Sequence, residues 1–143
     1  MIKLNPYLNF PGTAEEAFNL YRSVFGGAFS SLVRFKDMPV PGTKLPPEAE
    51  NKVLHVALPV GNDLLMASDA LESLGQKLVP GNNAHISITV DSKAEADRIF
   101  GVLSAGGKVE MALADQPWGD YYGSFKDRFG SLWMVSYTYP KKS

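Results

Sequence analysis

His55 and His85 are the only side chains of this 143-residue sequence whose usual titration range lies near neutrality. There is no cysteine, which removes a Cys nucleophile, a thiolate metal site and any disulfide framework. The chemistry left is proton transfer. Either histidine is a candidate catalytic base toward an acidic C–H or O–H, with Asn5, Tyr7 and Asn9 as polar neighbours. The competing reading is a hydrogen-bonded structural histidine within a strand.

Those residues have to be positioned by strands, and the hydrophobic pattern supplies them. Leu4, Leu8 and Phe10 alternate with Asn5, Tyr7 and Asn9, the period of a strand with one apolar face. Thr13 and Glu16 then form an expected capping box, and Ala14, Ala17, Phe18, Tyr21 and Phe25 give the stripe of an amphipathic helix closed by Gly26-Gly27. The same order returns 80 residues later. Ile86, Ile88 and Val90 alternate with His85, Ser87 and Thr89, Ser92 and Glu95 repeat the box, and Gly106-Gly107 closes the second helix. A second echo, 68 residues apart, links Leu64–Ser68 to Leu132–Ser136.

Each half leaves room for further strands at Phe29–Phe35 and Val53–Val60, then Val109–Leu113 and Tyr121–Lys126, with hairpin turns at Gly61-Asn62 and Phe129-Gly130. The Pro-rich stretch Met38–Pro47 reads as a loop and Leu71–Asn83 as a connector. The expectation is one α+β domain over 1–143, with module one at about 1–70 and module two at about 84–139.

Strand parity places Asn5, Tyr7, Asn9, His85, Ser87 and Thr89 on the face away from the helices. Met66, Ser68, Met134 and Ser136 join that face, and so does His55 if it follows Val53 and Ala57. Trp118, Tyr121 and Tyr122 could lid a ligand there, or pack a subunit contact or a sheet edge instead. Asp127, before Phe129-Gly130, reads as turn chemistry. Arg34 and Lys36 bind an anion only if they reach the polar face.

A repeated βαβββ unit resembles the vicinal oxygen chelate, or glyoxalase/bleomycin-resistance/dioxygenase, superfamily. The words Pro6-Tyr7-Leu8-Asn9-Phe10, Phe25-Gly26-Gly27, Leu65-Met66-Ala67-Ser68-Asp69, Trp118-Gly119 and Asp127-Arg128-Phe129-Gly130-Ser131-Leu132-Trp133-Met134 are similar to those of its PhnB-like branch. The resemblance implies two βαβββ modules whose curled mixed sheets surround a cavity for a small molecule. Some relatives carry a demethylubiquinone methyltransferase label. This chain has no Gly-rich strand-to-helix loop of a nucleotide-type cofactor fold, and no cofactor is expected.

Metalloenzymes of the superfamily take four ligands from the first and last strands of each module. The equivalent positions here hold Asn5, Met66, His85 and Met134. Amides and thioethers are poor ligands for a hard or borderline cation, so no metal is expected. The alternatives are a divalent-metal lyase, isomerase or dioxygenase using His55 and His85, and a non-enzymatic interaction protein.

Lys+Arg 14 against Asp+Glu 15 gives a net charge of −1, so no field favours nucleic acid. No signal-like or membrane-spanning run is present, and a cytoplasmic location is expected. A homodimer is expected as well, because superfamily chains pair and open sheet edges need cover. The strand Ser131–Tyr139 is the candidate contact, with Phe29, Phe35, Trp118, Tyr121, Phe125, Trp133, Tyr137 and Tyr139 as aromatic residues for which the interior has limited room.

Overall fold

A computed structural model describes residues 1–39 and 41–141. It divides into two compact units, Met1–Val79 and Pro80–Ser143. The first unit holds β1 (Tyr7–Phe10), α1 (Ala14–Phe25), β2 (Ser31–Arg34), β3 (Val53–Val60) and β4 (Asp63–Asp69). The second holds β5 (Ile86–Val90), α2 (Lys93–Ser104), β6 (Lys108–Asp115), β7 (Asp120–Lys126) and β8 (Leu132–Thr138). Each is a βαβββ module with one four-stranded mixed sheet, in the orders β1-β4-β3-β2 and β5-β8-β7-β6.

The repeat read from the sequence recurs in strand register. In the first sheet Tyr7 lies opposite Met66 and Asn9 opposite Ser68; in the second, Ser87 lies opposite Met134 and Thr89 opposite Ser136. These pairs are related by the same offsets of 80 and 68 seen in the chain. β1 is parallel to β4 and β5 to β8, while the remaining pairs are antiparallel.

The cores lie on the helix side of each sheet. Phe10, Leu65, Ala67, Val56 and Leu58 are buried, as are Ala14, Ala17, Phe18, Tyr21 and Val24 of α1. In the second unit Ala96, Ile99 and Leu103 of α2 are buried with Phe125, Trp133 and Val135. Ring contacts at 6.3 Å (Phe10–Phe18) and 5.0 Å (Phe100–Phe125), both edge-on, knit helix to sheet.

Several local expectations need correction. The first strand begins at Tyr7, and Leu4 is 91% exposed, so it adds nothing to an apolar face. The Phe29–Phe35 strand shortens to β2, because Phe35 starts a 3-10 turn running to Asp37. The Val109–Leu113 strand extends to Lys108–Asp115 and carries two register irregularities. Val24 replaces Phe25 in the buried stripe of α1. The loop Met38–Pro47 is confirmed as non-strand, although its Val40 lies outside the described residues.

The two helix starts differ. Ser92 Oγ accepts from the Glu95 amide at 3.1 Å, the expected N-cap of α2. Thr13 makes no side-chain cap bond. The buried carboxylate of Asp69, at the end of β4, does that work from a distance. Its Oδ1 accepts from the amides of Gly12 (3.1 Å) and Ala14 (2.9 Å), and its Oδ2 from Val53 (2.8 Å). A strand end thus satisfies donors of the helix start that would otherwise be orphaned, and places negative charge at the positive end of the helix dipole.

No helix among the described residues is long and apolar enough to cross a membrane.

Candidate functional site

Register decides which side chains share the face away from the helix. In the first sheet Ala57 pairs with Met66, and Met66 with Tyr7, so Tyr7, Asn9, Met66, Ser68 and, by the two-residue period of β3, His55 point to one side. Tyr7 is 46% exposed there. Asn5 lies just before β1, and its Oδ1 accepts from the Leu64 amide at 3.1 Å, which ties the chain entering β1 to β4.

Three of the expected residues come together in this sheet. The Tyr7 hydroxyl lies 3.3 Å from His55 Nδ1 and is also in hydrogen-bond contact with Ser68 Oγ. Ser68 Oγ in turn donates to the Leu54 carbonyl at 2.8 Å. The Tyr7 and His55 rings are stacked, with centroids 5.9 Å apart and planes inclined by 24°. The result is an aromatic wall with a polar seam on an exposed sheet face.

In the second sheet Ser87 and Thr89 of β5 share a face with Met134 and Ser136 of β8, and Tyr122 of β7 lies opposite Ser136. Trp118 packs edge-on against Tyr122, with centroids 5.9 Å apart, and donates its Nε1 hydrogen to Asp120 Oδ2 at 3.0 Å. Trp118 is nevertheless 62% exposed. Tyr121, one residue from Tyr122, points the other way and donates to Asp97 Oδ1 on α2 at 2.5 Å. That bond holds its hydroxyl protonated up to about 12, and the Asp115 bond does the same for Tyr139, also to about 12. Tyr121 therefore belongs to the helix side and not to the polar face.

His85 immediately precedes β5, two residues before Ser87 and on the same side by strand parity. Its Nε2 lies 2.9 Å from Glu110 Oε1 of β6, a residue the sequence reading missed. β5 and β6 are the outermost strands of their sheet. In a flat sheet three strand spacings would hold them about 14 Å apart, so this contact requires the sheet to curl across its width. The strand directions carried the available signal: β5, β8 and β6 all run the same way, which places the starts of β5 and β6 at one end of the sheet.

Other polar residues are absorbed structurally. Asp127 is buried and accepts from the Phe129 and Ser131 amides (2.9 and 3.0 Å) and from Trp133 Nε1 (2.8 Å), which is turn chemistry. Arg34 faces Glu15 through two bonds of 3.0 and 2.7 Å and also donates to the Asn51 carbonyl. The guanidinium holds the Glu15 carboxyl below its usual range, and Glu15 raises Arg34 in return. That pairing leaves Arg34 poorly placed to serve an anion. Among the described residues no three or more His, Cys, Asp or Glu cluster in a way that could hold a metal ion.

Comparison with known proteins gives a consistent picture. A family model described as Glyoxalase/Bleomycin resistance protein/Dioxygenase superfamily matches residues 3–135. Protein YjdN of Escherichia coli (strain K12) is 29% identical over 145 residues, spanning 93% of both proteins. The crystal structure of protein PA1353 from Pseudomonas aeruginosa has a TM-score of 0.85 and 38% identity, covering 96% of this chain and 98% of that one. A PhnB protein structure from Bacillus cereus has a TM-score of 0.77 and 25% identity, covering 96% of this chain and 100% of that one.

Proposed function

This protein belongs to the glyoxalase/bleomycin resistance protein/dioxygenase superfamily, and from that premise we propose that it binds a small polar molecule on its polar sheet faces without the divalent metal typical of the superfamily's enzymes. The observation that carries this reading is the seam of Tyr7, His55 and Ser68 on an exposed face. Asn9 and Met66 flank the seam, while Ser87, Met134, Ser136, Trp118 and Tyr122 offer a comparable polar and aromatic face in the second unit.

Donor chemistry supports the metal-free part. Asn5 and Met66 occupy the ligand positions of the first unit, and the Asn5 amide oxygen is engaged with Leu64. His85 and Met134 occupy those of the second. This set does not fit a hard or borderline cation, because thioethers suit soft ions and an amide is a weak donor. One observation favours the metal reading instead: Glu110 gives His85 a carboxylate neighbour at 2.9 Å. That pair supplies two donors, one short of the three a catalytic site normally needs.

The test is a thermal-shift screen across classes of small polar molecules, paired with dialysis against divalent metals and elemental analysis. A ligand present at 100 times its dissociation constant adds about 2.7 kcal/mol of stability. Stoichiometric metal lost in His85→Ala would replace this reading with the metal enzyme. No stabilisation by any class would leave a structural or interaction role.

We also propose that the chain forms a homodimer, with a changed contact region. β8 is paired on both sides, and Trp133 and Phe125 are buried in their own unit, so the Ser131–Tyr139 strand has no free edge to offer. β6 is an edge strand whose Val109 and Met111 are 47% and 45% exposed, a better candidate for cover by a second copy. Sedimentation equilibrium at micromolar concentration should give twice the chain mass of 15.6 kDa. A single species at the monomer mass refutes the proposal.

A further inference from the structure

Proton accounting along the seam in the first unit singles out one atom. A serine hydroxyl has one hydrogen, and Ser68 gives its own to the Leu54 carbonyl, which can only accept. Ser68 Oγ must therefore accept from the Tyr7 hydroxyl, which spends the only hydrogen that Tyr7 has. Tyr7 Oη is then left as an acceptor toward His55, so the 3.3 Å contact is satisfied only when Nδ1 carries hydrogen. The chain runs one way, from Nδ1–H to Tyr7, to Ser68, to the Leu54 carbonyl. No other arrangement of these hydrogens satisfies all three contacts.

We infer that His55 is the acid–base group of the proposed ligand site, held by Tyr7 and Ser68 as its Nδ1–H tautomer, so that Nε2 meets a ligand bearing an acidic O–H or C–H. This rests on the ligand-binding reading above and assigns it a substrate class. Among the described residues Nε2 has no hydrogen-bond partner, and no buried side-chain nitrogen or oxygen lacks one, so Nε2 is open to solvent on this face. By contrast, Nε2 of His85 is occupied by Glu110.

The proton step balances without a co-reactant. The hydrogen leaves the ligand's O–H or C–H bond, whose electron pair stays on the ligand, and arrives on the lone pair of Nε2. The resulting imidazolium still donates from Nδ1 to Tyr7, so the chain neither breaks nor rearranges. Tyr7 and Ser68 act as positioning residues: they decide which nitrogen is basic, as a fixed partner on one ring nitrogen does generally. The stacked rings of Tyr7 and His55 add a flat wall, which suits a planar ligand.

Nitrogen NMR on protein carrying 15N-histidine tests this without any ligand, with His85→Gln separating the two sets of signals. At a pH where the ring is neutral, His55 should show a protonated Nδ1 and an unprotonated Nε2. Tyr7→Phe removes the acceptor and Ser68→Ala frees the Tyr7 hydrogen to turn toward Nδ1. Both should shift His55 toward the Nε2–H form, although the second variant keeps the tyrosine. Diethyl pyrocarbonate, which acylates an unprotonated ring nitrogen, should label His55 Nε2 several-fold faster in the parent than in Ser68→Ala. An Nε2–H tautomer in the parent, or no change in folded variants of both kinds, overturns the inference. A ligand screen that finds nothing would sink the binding proposal while leaving this tautomer assignment standing, so the two failures are distinguishable.

Discussion

Asp69→Ala should lower the unfolding free energy by about 3 kcal/mol or more, whereas Thr13→Ala should change it by less than about 0.5 kcal/mol. The carboxylate is 2% exposed and accepts from three backbone amides: Gly12 and Ala14 at the start of α1, and Val53 at the start of β3. Hydrogen bonds to a charged group contribute about 1.5–3 kcal/mol each, and truncation would leave the Ala14 and Val53 amides without their partner in the interior and the Gly12 amide without its partner in a half-buried position. Ser92→Ala provides the scale, because it removes one local cap bond and should cost about 1 kcal/mol. Urea unfolding of the three variants measures all of this. A Thr13→Ala cost matching that of Ser92→Ala would show that the helix start had been assigned to the wrong side chain.

Gly107→Ala should be at least as damaging, by about 3 kcal/mol or more, while its neighbour Gly106→Ala should cost about 1–2 kcal/mol. A Cβ at Gly107 would sit 2.0 Å from the Lys126 carbonyl oxygen and within 2.9 Å of Asp127 backbone atoms. No rotamer change relieves a clash with backbone. Lys126 pairs with both Lys108 and Leu132, so moving it disturbs three strands of the second sheet. Gly106 fails for a different reason. Its φ of +78° disfavours an L side chain, but the added carbon would meet only the Arg128 side chain, at 3.4 Å, an ordinary van der Waals contact. Thermal unfolding of the pair separates the mechanisms: equal melting temperatures would contradict the close approach at Gly107.

The Gly106-Gly107 pair shows how a correct sequence reading can hold only half the reason. Two glycines after an amphipathic stripe mark a helix end from local rules, and the helix does end at Ser104. That the second glycine is required by a strand arriving from 19 residues further on is a tertiary fact.

By itself the sequence determined the repeat and the class of fold. Alternation of Ile86, Ile88 and Val90 with Ser87 and Thr89 placed β5, because the pleat turns a local period of two into a face, and the run Val53–Val60 ahead of the Gly61-Asn62 turn placed β3. The offsets of 80 and 68 also related the two registers to each other, so that once Tyr7 is found opposite Met66, Ser87 is expected opposite Met134, since duplicated modules repeat their registers. Ser92 was legible as a cap because its partner is three residues away. Only the tertiary structure decided what depends on distant partners. Asp69 displaced Thr13 because a strand end delivered a carboxylate to a helix 55 residues away in sequence. Glu110 reached His85 because curling brought the two outer strands of a sheet together. Tyr7, His55 and Ser68 were each placed on the right face by parity. Their joining into a single directed chain of hydrogen bonds came from the lateral order β1-β4-β3, which no period in the sequence encodes.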